Sequence, residues 1–209
     1  MSVEDNSFWV PEKTGQALYK SRNSKFIGIA SWVSSTEAAK EKLREIKTTY
    51  PDATHVCYAW VLGDSGSVQM AADAGEPTHS AGTPILNSIR SSGLVWTLVA
   101  VVRFYGGSKL GVPGLIEAYS ESARLALLDA GKKNELPQFE IELRFFYPSM
   151  PLIEKIIHQF QAEILSKDFQ ESCRFSLSIP VKFQADCFQI LAQNSNLIQV
   201  ISGKLEAQN

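Results

Sequence analysis

The 209-residue sequence predicts an α+β fold built as two domains. Residues 139–205 read as strand, helix, strand, strand, helix, strand, the order of a ferredoxin-like split βαβ domain of about 70 residues. The first 130 residues instead mix a hairpin and buried strand patterns with three amphipathic or buried helices. Between them, Gly131-Lys132-Lys133-Asn134-Glu135-Leu136-Pro137 is a polar run punctuated by Gly, Asn and Pro directly after a strong helix, which reads as a linker. The expected domains are therefore 1–134 and 135–209.

Taken in order, residues 18–20 and 26–33 read as a hairpin joined by Ser21-Arg22-Asn23-Ser24. Ser34 and Glu37 have capping-box spacing and open a helix with Ala39, Leu43, Ile46 and Tyr50 on its core face. Residues 54–62 are apolar on both faces, as a central strand requires, and 68–71 form a further short strand. Residues 73–84 are rich in Gly, Pro, Thr and Ser and read as a shaped loop. A helix around Ile85 and Ile89 ends at Ser91-Ser92-Gly93. Residues 96–105 make a second buried strand that runs into Gly106-Gly107. Pro113 then opens a helix to Ala130, with Ile116, Tyr119, Ala123, Leu127 and Ala130 in line and Gly131 as its stop.

In the second domain, residues 139–147 alternate as a strand. Ser149 caps a helix that tolerates Pro151 in its first turn and places Ile153, Ile157 and Phe160 on one face. Residues 163–169 and 173–181 are two more strands. A short helix with Cys187, Ile190 and Leu191 inward follows, and 197–205 closes the domain as a strand.

Composition excludes several classes. With 44% hydrophobic and 20% charged residues, the chain is an ordinary globular protein. No apolar stretch approaches the roughly 20 residues a membrane helix needs. The N-terminus is acidic and broken at Trp9-Val10-Pro11, unlike a signal peptide. Cys57, Cys173 and Cys187 form neither a CxxC pair nor a metal spacing with His55, His79 or His158, and read as buried core thiols in a reducing, cytoplasmic setting. No metal and no cofactor is expected. A net charge of -2 argues against a protein that coats nucleic acid. The charge is uneven, however: residues 1–134 carry 14 Lys and Arg against 13 Asp and Glu, and residues 135–209 carry 6 against 9. Any polyanion contact therefore belongs on the first half.

Two loops carry the chemistry. Asp73, Gly75, Glu76, Pro77, Thr78, His79, Gly82 and Thr83 form the first, a backbone shaped by glycine and proline with polar side chains along it. The second runs from Arg103 through Tyr105, Gly106, Gly107 and Lys109 into a helix. A strand, glycine loop and helix N-terminus present N–H groups and a favourable dipole end to an anion, with Lys109 adding charge. The segment lacks GxxxxGK[ST] and is not a P-loop. The alternative is that the glycines serve only to turn the chain and that Arg103 pairs internally with Asp73 or Glu76. His55 and Cys57 share a strand face and read as buried structural residues. Lys20, Arg22 and Lys25 place cations on the hairpin turn. Lys40, Arg44 and Lys47 share one helix face, but Glu37, Glu41 and Glu45 lie beside them and offer intrahelical pairs, so that stripe reads as a solvated face.

Four ordered blocks resemble the YigZ/IMPACT family: Lys20-Ser21-Arg22-Asn23-Ser24-Lys25-Phe26-Ile27, His55-Val56-Cys57-Tyr58-Ala59-Trp60, the Gly75-Glu76-Pro77 to Gly82-Thr83-Pro84 loop, and Val101 through Gly111. The resemblance implies an N-terminal α/β sandwich like the second domain of a small-subunit ribosomal protein, and a ferredoxin-like C-terminal domain. Together these are similar to the fourth and fifth domains of elongation factor G, which work against ribosomal RNA. It also implies translation regulation, which eukaryotic members exert through an additional RWD module; 209 residues leave no room for that module, so its partnership is not expected here. The sequence departs from the family pattern at Ala74, where an acidic residue is common, and at His79 and Pro113, where glycine is common.

Three functions stand side by side. One is a non-catalytic module for RNA or the ribosome, using Lys20, Arg22, Lys25, Arg103, Tyr105, Gly106, Gly107 and Lys109. The second is an enzyme on a small phosphorylated or peptide substrate, with Asp73, Glu76, His79, Arg103 and Lys109 lining its pocket. The third is a protein-interaction module in which the loops are structural. The expected state is a monomer or small homo-oligomer.

Overall fold

A computed structural model describes residues 7–204, and among these the side chain of Lys204 is not described. Phe8–Glu135 forms one compact unit, and residues 136–204 form another. Both mix helices with antiparallel sheet, and the fold class is α+β.

The first unit is built on a five-stranded antiparallel sheet. Its strands are β2 (Gly15–Ser21), β3 (Ser24–Trp32), β4 (His55–Leu62), β5 (Val68–Ala72) and β6 (Thr97–Phe104), in the order β2-β3-β6-β4-β5. The nearly unbroken apolar runs of β4 and β6 arise because both faces of the sheet are covered. On one face, α2 (Gly82–Ser92) and α3 (Gly111–Ala130) pack on Phe26, Ala30, Cys57, Ala59, Val99 and Val101. On the other, α1 (Thr36–Thr49) buries Ala39, Leu43 and Ile46 against Ile29, Val56, Trp60, Leu98 and Val102. Helix α3 lies almost on the backbone of β3: a Cβ on Gly28 would fall 2.2 Å from the Ser122 carbonyl oxygen. A side chain there would push the helix off the sheet.

Several local expectations shift. Ser35, not Ser34, is the cap of α1, accepting from the Ala38 N–H at 3.1 Å, so the capping box does not form. Gly82, Thr83 and Pro84 belong to the first turn of α2 rather than to the loop. Helix α3 starts at Gly111, two residues before Pro113, and its buried face holds Leu115, with Ile116 exposed. Part of the expected linker is a strand: β7 (Lys133–Glu135) pairs antiparallel with β1 (Phe8–Val10), and the Lys132 ammonium sits 5.0 Å from the Trp9 ring centroid. Polar composition had hidden a strand that gains its hydrogen bonds from the chain's other end.

The second unit runs β8 (Gln138–Phe145), α4 (Met150–Gln159), β9 (Glu163–Phe169), β10 (Cys173–Pro180), α5 (Gln184–Gln193) and β11 (Ile198–Lys204), with sheet order β11-β8-β10-β9. That is the split βαβ arrangement. Alternate residues Phe139, Ile141, Leu143 and Phe145 of β8 and Phe175, Leu177 and Ile179 of β10 meet Ile153 and Ile156 of α4 and Cys187 and Leu191 of α5. Ser149 precedes α4 but makes no side-chain cap bond. Leu205 lies outside the described residues.

Candidate functional site

The loop between β5 and α2 is organised by one carboxylate. Asp73 Oδ2 accepts from the His79 N–H at 2.8 Å, and Oδ1 accepts from the N–H groups of Ala81 at 3.0 Å and Gly82 at 2.8 Å. The residue that directly precedes α2 is Ala81, which cannot cap, so Asp73 reaches across the loop to do it. Burial pushes the Asp73 carboxyl upward, but the N–H bonds from Gly82, His79 and Ala81 outweigh it and hold the group below its ordinary range. Ala74 and His79 both take positive φ, 45° and 62°, the conformation that glycine adopts without penalty. His79 Nδ1 lies 3.1 Å from Thr83 Oγ1, a local bond that offsets part of its strain. Thr78 is exposed, and Ser80 Oγ donates to the Pro77 carbonyl at 2.6 Å.

Glu76 turns inward from the same loop. Its Oε1 accepts from the Arg103 guanidinium and from the Tyr119 hydroxyl, the latter at 2.8 Å. The side chains of Arg103 and Glu76 are only 7% and 4% exposed. The guanidinium also lies 5.5 Å from the ring centroids of Phe26 and Tyr105. Of the two internal partners expected for Arg103, Glu76 is the one used. This corrects the placement of Arg103 on an external anion surface: the desolvated guanidinium is held by a carboxylate at the base of the loop. Cys57 Sγ lies 2.9 Å from the Asp73 carbonyl and 3.3 Å from the Tyr119 hydroxyl. Burial, above all, pushes the Cys57 thiol up to about 12 and raises the Tyr119 phenol as well, so both stay protonated. His55 Nδ1 meets the Ala74 carbonyl at 3.0 Å. Asp73 is thus tied to the His79 N–H, and Glu76 to Arg103. None of Asp73, Glu76, His79, Arg103 and Lys109 lines the groove between α2 and α3 or the pocket beside β3.

The glycine loop after β6 is held differently. Arg22 takes φ 49° in the two-residue turn between β2 and β3, and its guanidinium donates to the Lys109 carbonyl. Gly106 passes directly under that turn: a Cβ there would fall 2.0 Å from the Asn23 carbonyl oxygen. Its N–H donates to Ser24 Oγ at 3.2 Å, and the Tyr105 N–H donates to Thr54 Oγ1 at 3.0 Å. Hairpin turn and glycine loop therefore form one block. Lys20, Lys25 and Lys109 are exposed on it and make no ion pair among the described residues. Lys20 stands directly opposite Lys25 in the β2–β3 register. Gly107 and Gly111 take φ 83° and 73°, and Leu110, directly before α3, supplies no side-chain cap. Beside the block, Asn23, Lys25, Ile27, Phe104 and Tyr105 line a pocket of about 390 Å³.

The cation stripe of α1 behaves as a solvated face. Arg44 pairs with Glu41, and Lys42 pairs with Glu45 at 2.8 Å. Among the described residues no group of three or more His, Cys, Asp or Glu side chains is placed to hold a metal ion, and no helix is long and apolar enough to cross a membrane. Sequence reasoning missed Tyr119 as a polar partner, having read it only as a core residue. The signal was its hydroxyl, which needs a partner when buried on an alanine-rich helix face. Asn23 and Phe104 were missed because the pocket exists only once β3 and β6 pair.

Residues 22–127 match the Impact N-terminal domain family. The chain is 30% identical over 191 residues to the IMPACT family member YigZ of Escherichia coli (strain K12), covering 90% of this chain and 94% of that protein. It is 33% identical over 191 residues to an IMPACT family member of Haemophilus influenzae, covering 90% and 89%. Among solved structures, the crystal structure of a hypothetical protein superposes with a TM-score of 0.73 at 27% identity, covering 95% of this chain and 98% of that one.

Proposed function

The chain belongs to the IMPACT family, and from that premise we propose that it is a non-catalytic, translation-associated protein that contacts RNA or the ribosome through its N-terminal unit. One observation carries the reading. Lys20, Lys25 and Lys109 are gathered on the joined hairpin and glycine loop and make no ion pair among the described residues, and Lys20 and Lys25 face each other in register. Like charges directly opposite on paired strands are destabilising, and a polyanion relieves that repulsion. Arg22 in this reading is a positioning residue, since its guanidinium already holds the Lys109 carbonyl.

The test is cosedimentation with ribosomes across a salt series. Binding is expected to fall steeply between about 50 and 200 mM salt, and the combined Lys20→Gln, Lys25→Gln and Lys109→Gln variant to flatten the log–log slope by about 2 to 3. Binding that is flat with salt, or a variant that behaves as the parent, overturns the reading. A pull-down whose partners persist after nuclease treatment points to a protein ligand instead.

A further inference from the structure

We infer that the sheet surface between the β2–β3 hairpin and Tyr105 takes unpaired nucleotides, so that the ligand is single-stranded rather than duplex RNA; this rests on the RNA-binding reading above. The register fixes what lies on this surface. Leu18 stands opposite Ile27, and Lys20 opposite Lys25; Lys25 in turn stands opposite Phe104 across β3 and β6. All five side chains project to the face that α1 covers elsewhere. Here the cover stops: Leu18 is 54% exposed, and Ile27 and Phe104 are half-buried. The result is an apolar floor edged by two cations that make no ion pair among the described residues, with Arg22 tied to Lys109 beyond them.

At the end of that strip the pocket provides what a base needs. Tyr105 is 46% exposed, its N–H is fixed to Thr54, and the buried Arg103 guanidinium lies 5.5 Å from its ring centroid. The aromatic wall is therefore positioned in advance. The Phe104 ring is braced edge-on by Tyr50 at 6.4 Å. Asn23 contributes an amide able to hydrogen-bond a base edge, and Lys25 a charge for the adjoining phosphate. A volume of about 390 Å³ lies in the range of small-ligand sites, about 300–1,000 Å³. Bases inside a duplex are stacked and paired and cannot enter such a recess without being flipped out, whereas an unpaired base stacks on an aromatic side chain directly. An acidic peptide would satisfy the lysines but leave the aromatic wall unused.

Fluorescence anisotropy on the full chain tests this with three probes: a uridine oligomer of about 12 nucleotides, its duplex with the matching adenosine oligomer, and a polyglutamate of equal charge. The single strand is expected to bind at least about tenfold tighter than either competitor. Tyr105→Ala is expected to lose about tenfold for the single strand, with Tyr105→Phe retaining parental binding. Equal affinity for strand and duplex, for the strand and polyglutamate, or for Tyr105→Ala and the parent overturns the base pocket while salt-sensitive binding preserves the RNA reading. Absence of binding to either RNA overturns the base pocket, and ribosome cosedimentation then decides the broader reading. The strand-to-duplex ratio of the parent protein does not depend on how any variant folds.

Discussion

Both carboxylates of the loop from Asp73 to Ala81 are answered from inside the protein, whereas the lysines around the loop from Tyr105 to Gly111 are left to solvent. Asp73 takes three backbone N–H bonds and Glu76 is closed by Arg103 and Tyr119. The second loop is fastened through its backbone, by the Arg22 guanidinium and by the fit of Gly106 under Asn23, and that leaves Lys109 free to project. Glycine, proline and charge mark both loops in the sequence. What separates them is whether the charged heads point at the core or away from it. A polar loop is thus cement in one case and reach in the other.

The comparison is broken most severely at Glu76. Glu76→Gln leaves Arg103 buried without a counter-charge, and a loss of about 3–5 kcal/mol is expected in urea unfolding. All four tryptophans, Trp9, Trp32, Trp60 and Trp96, lie in the first unit, so their fluorescence reports on that unit. A loss below about 1 kcal/mol would mean that the pair does not anchor the loop.

A smaller effect is expected at Asp73. Asp73→Asn should cost about 1–2 kcal/mol through the weakened cap of α2. The sign of its pH dependence follows from its lowered pKa. Above the ordinary value of 3.8 the carboxylate is charged whether folded or unfolded, and the cap contributes in full. As pH falls below 3.8 the unfolded chain takes up the proton first, and the contribution is lost as pH drops through the lower folded value. Acid unfolding of the parent and of Asp73→Asn should therefore converge below that window; parallel curves throughout would remove Asp73 from the account.

The smallest effect sharpens the open side. Lys25→Glu replaces a repulsive cross-strand pair with an attractive one and should raise stability by a few tenths of a kcal/mol. Ribosome cosedimentation of the same variant should weaken. A variant that loses stability would show that Lys25 has a structural partner and would take it out of the recognition patch.

The strand and helix pattern was legible in most of the chain because burial on two faces leaves a direct trace in residue order. Residues 163–169 and the helix stop at Gly93 needed nothing further. Caps were read less well: Ser34 gave way to Ser35 by a single residue, and α2 is capped by a side chain nine positions from Gly82, a distance local spacing rules do not cover. Strand β7 was invisible because Lys133, Asn134 and Glu135 have little strand preference and pair only with residues from the start of the chain.

The candidate site divides in the same way. Residue order alone identified the two loops, the hairpin cations and the family resemblance, since glycine, proline and charge are local signals of backbone shape and surface position. It could not decide which ionisable groups are consumed by one another. Arg103 and Glu76 are separated by 27 residues, and Arg22 and Lys109 by 87, and in each case the meeting depends on how β3, β4 and β6 align. Sequence sets which groups exist and where the chain can turn. Only the folded sheet sets their distances and their exposure to water, and on those depends whether a charge serves as an internal tie or an external contact.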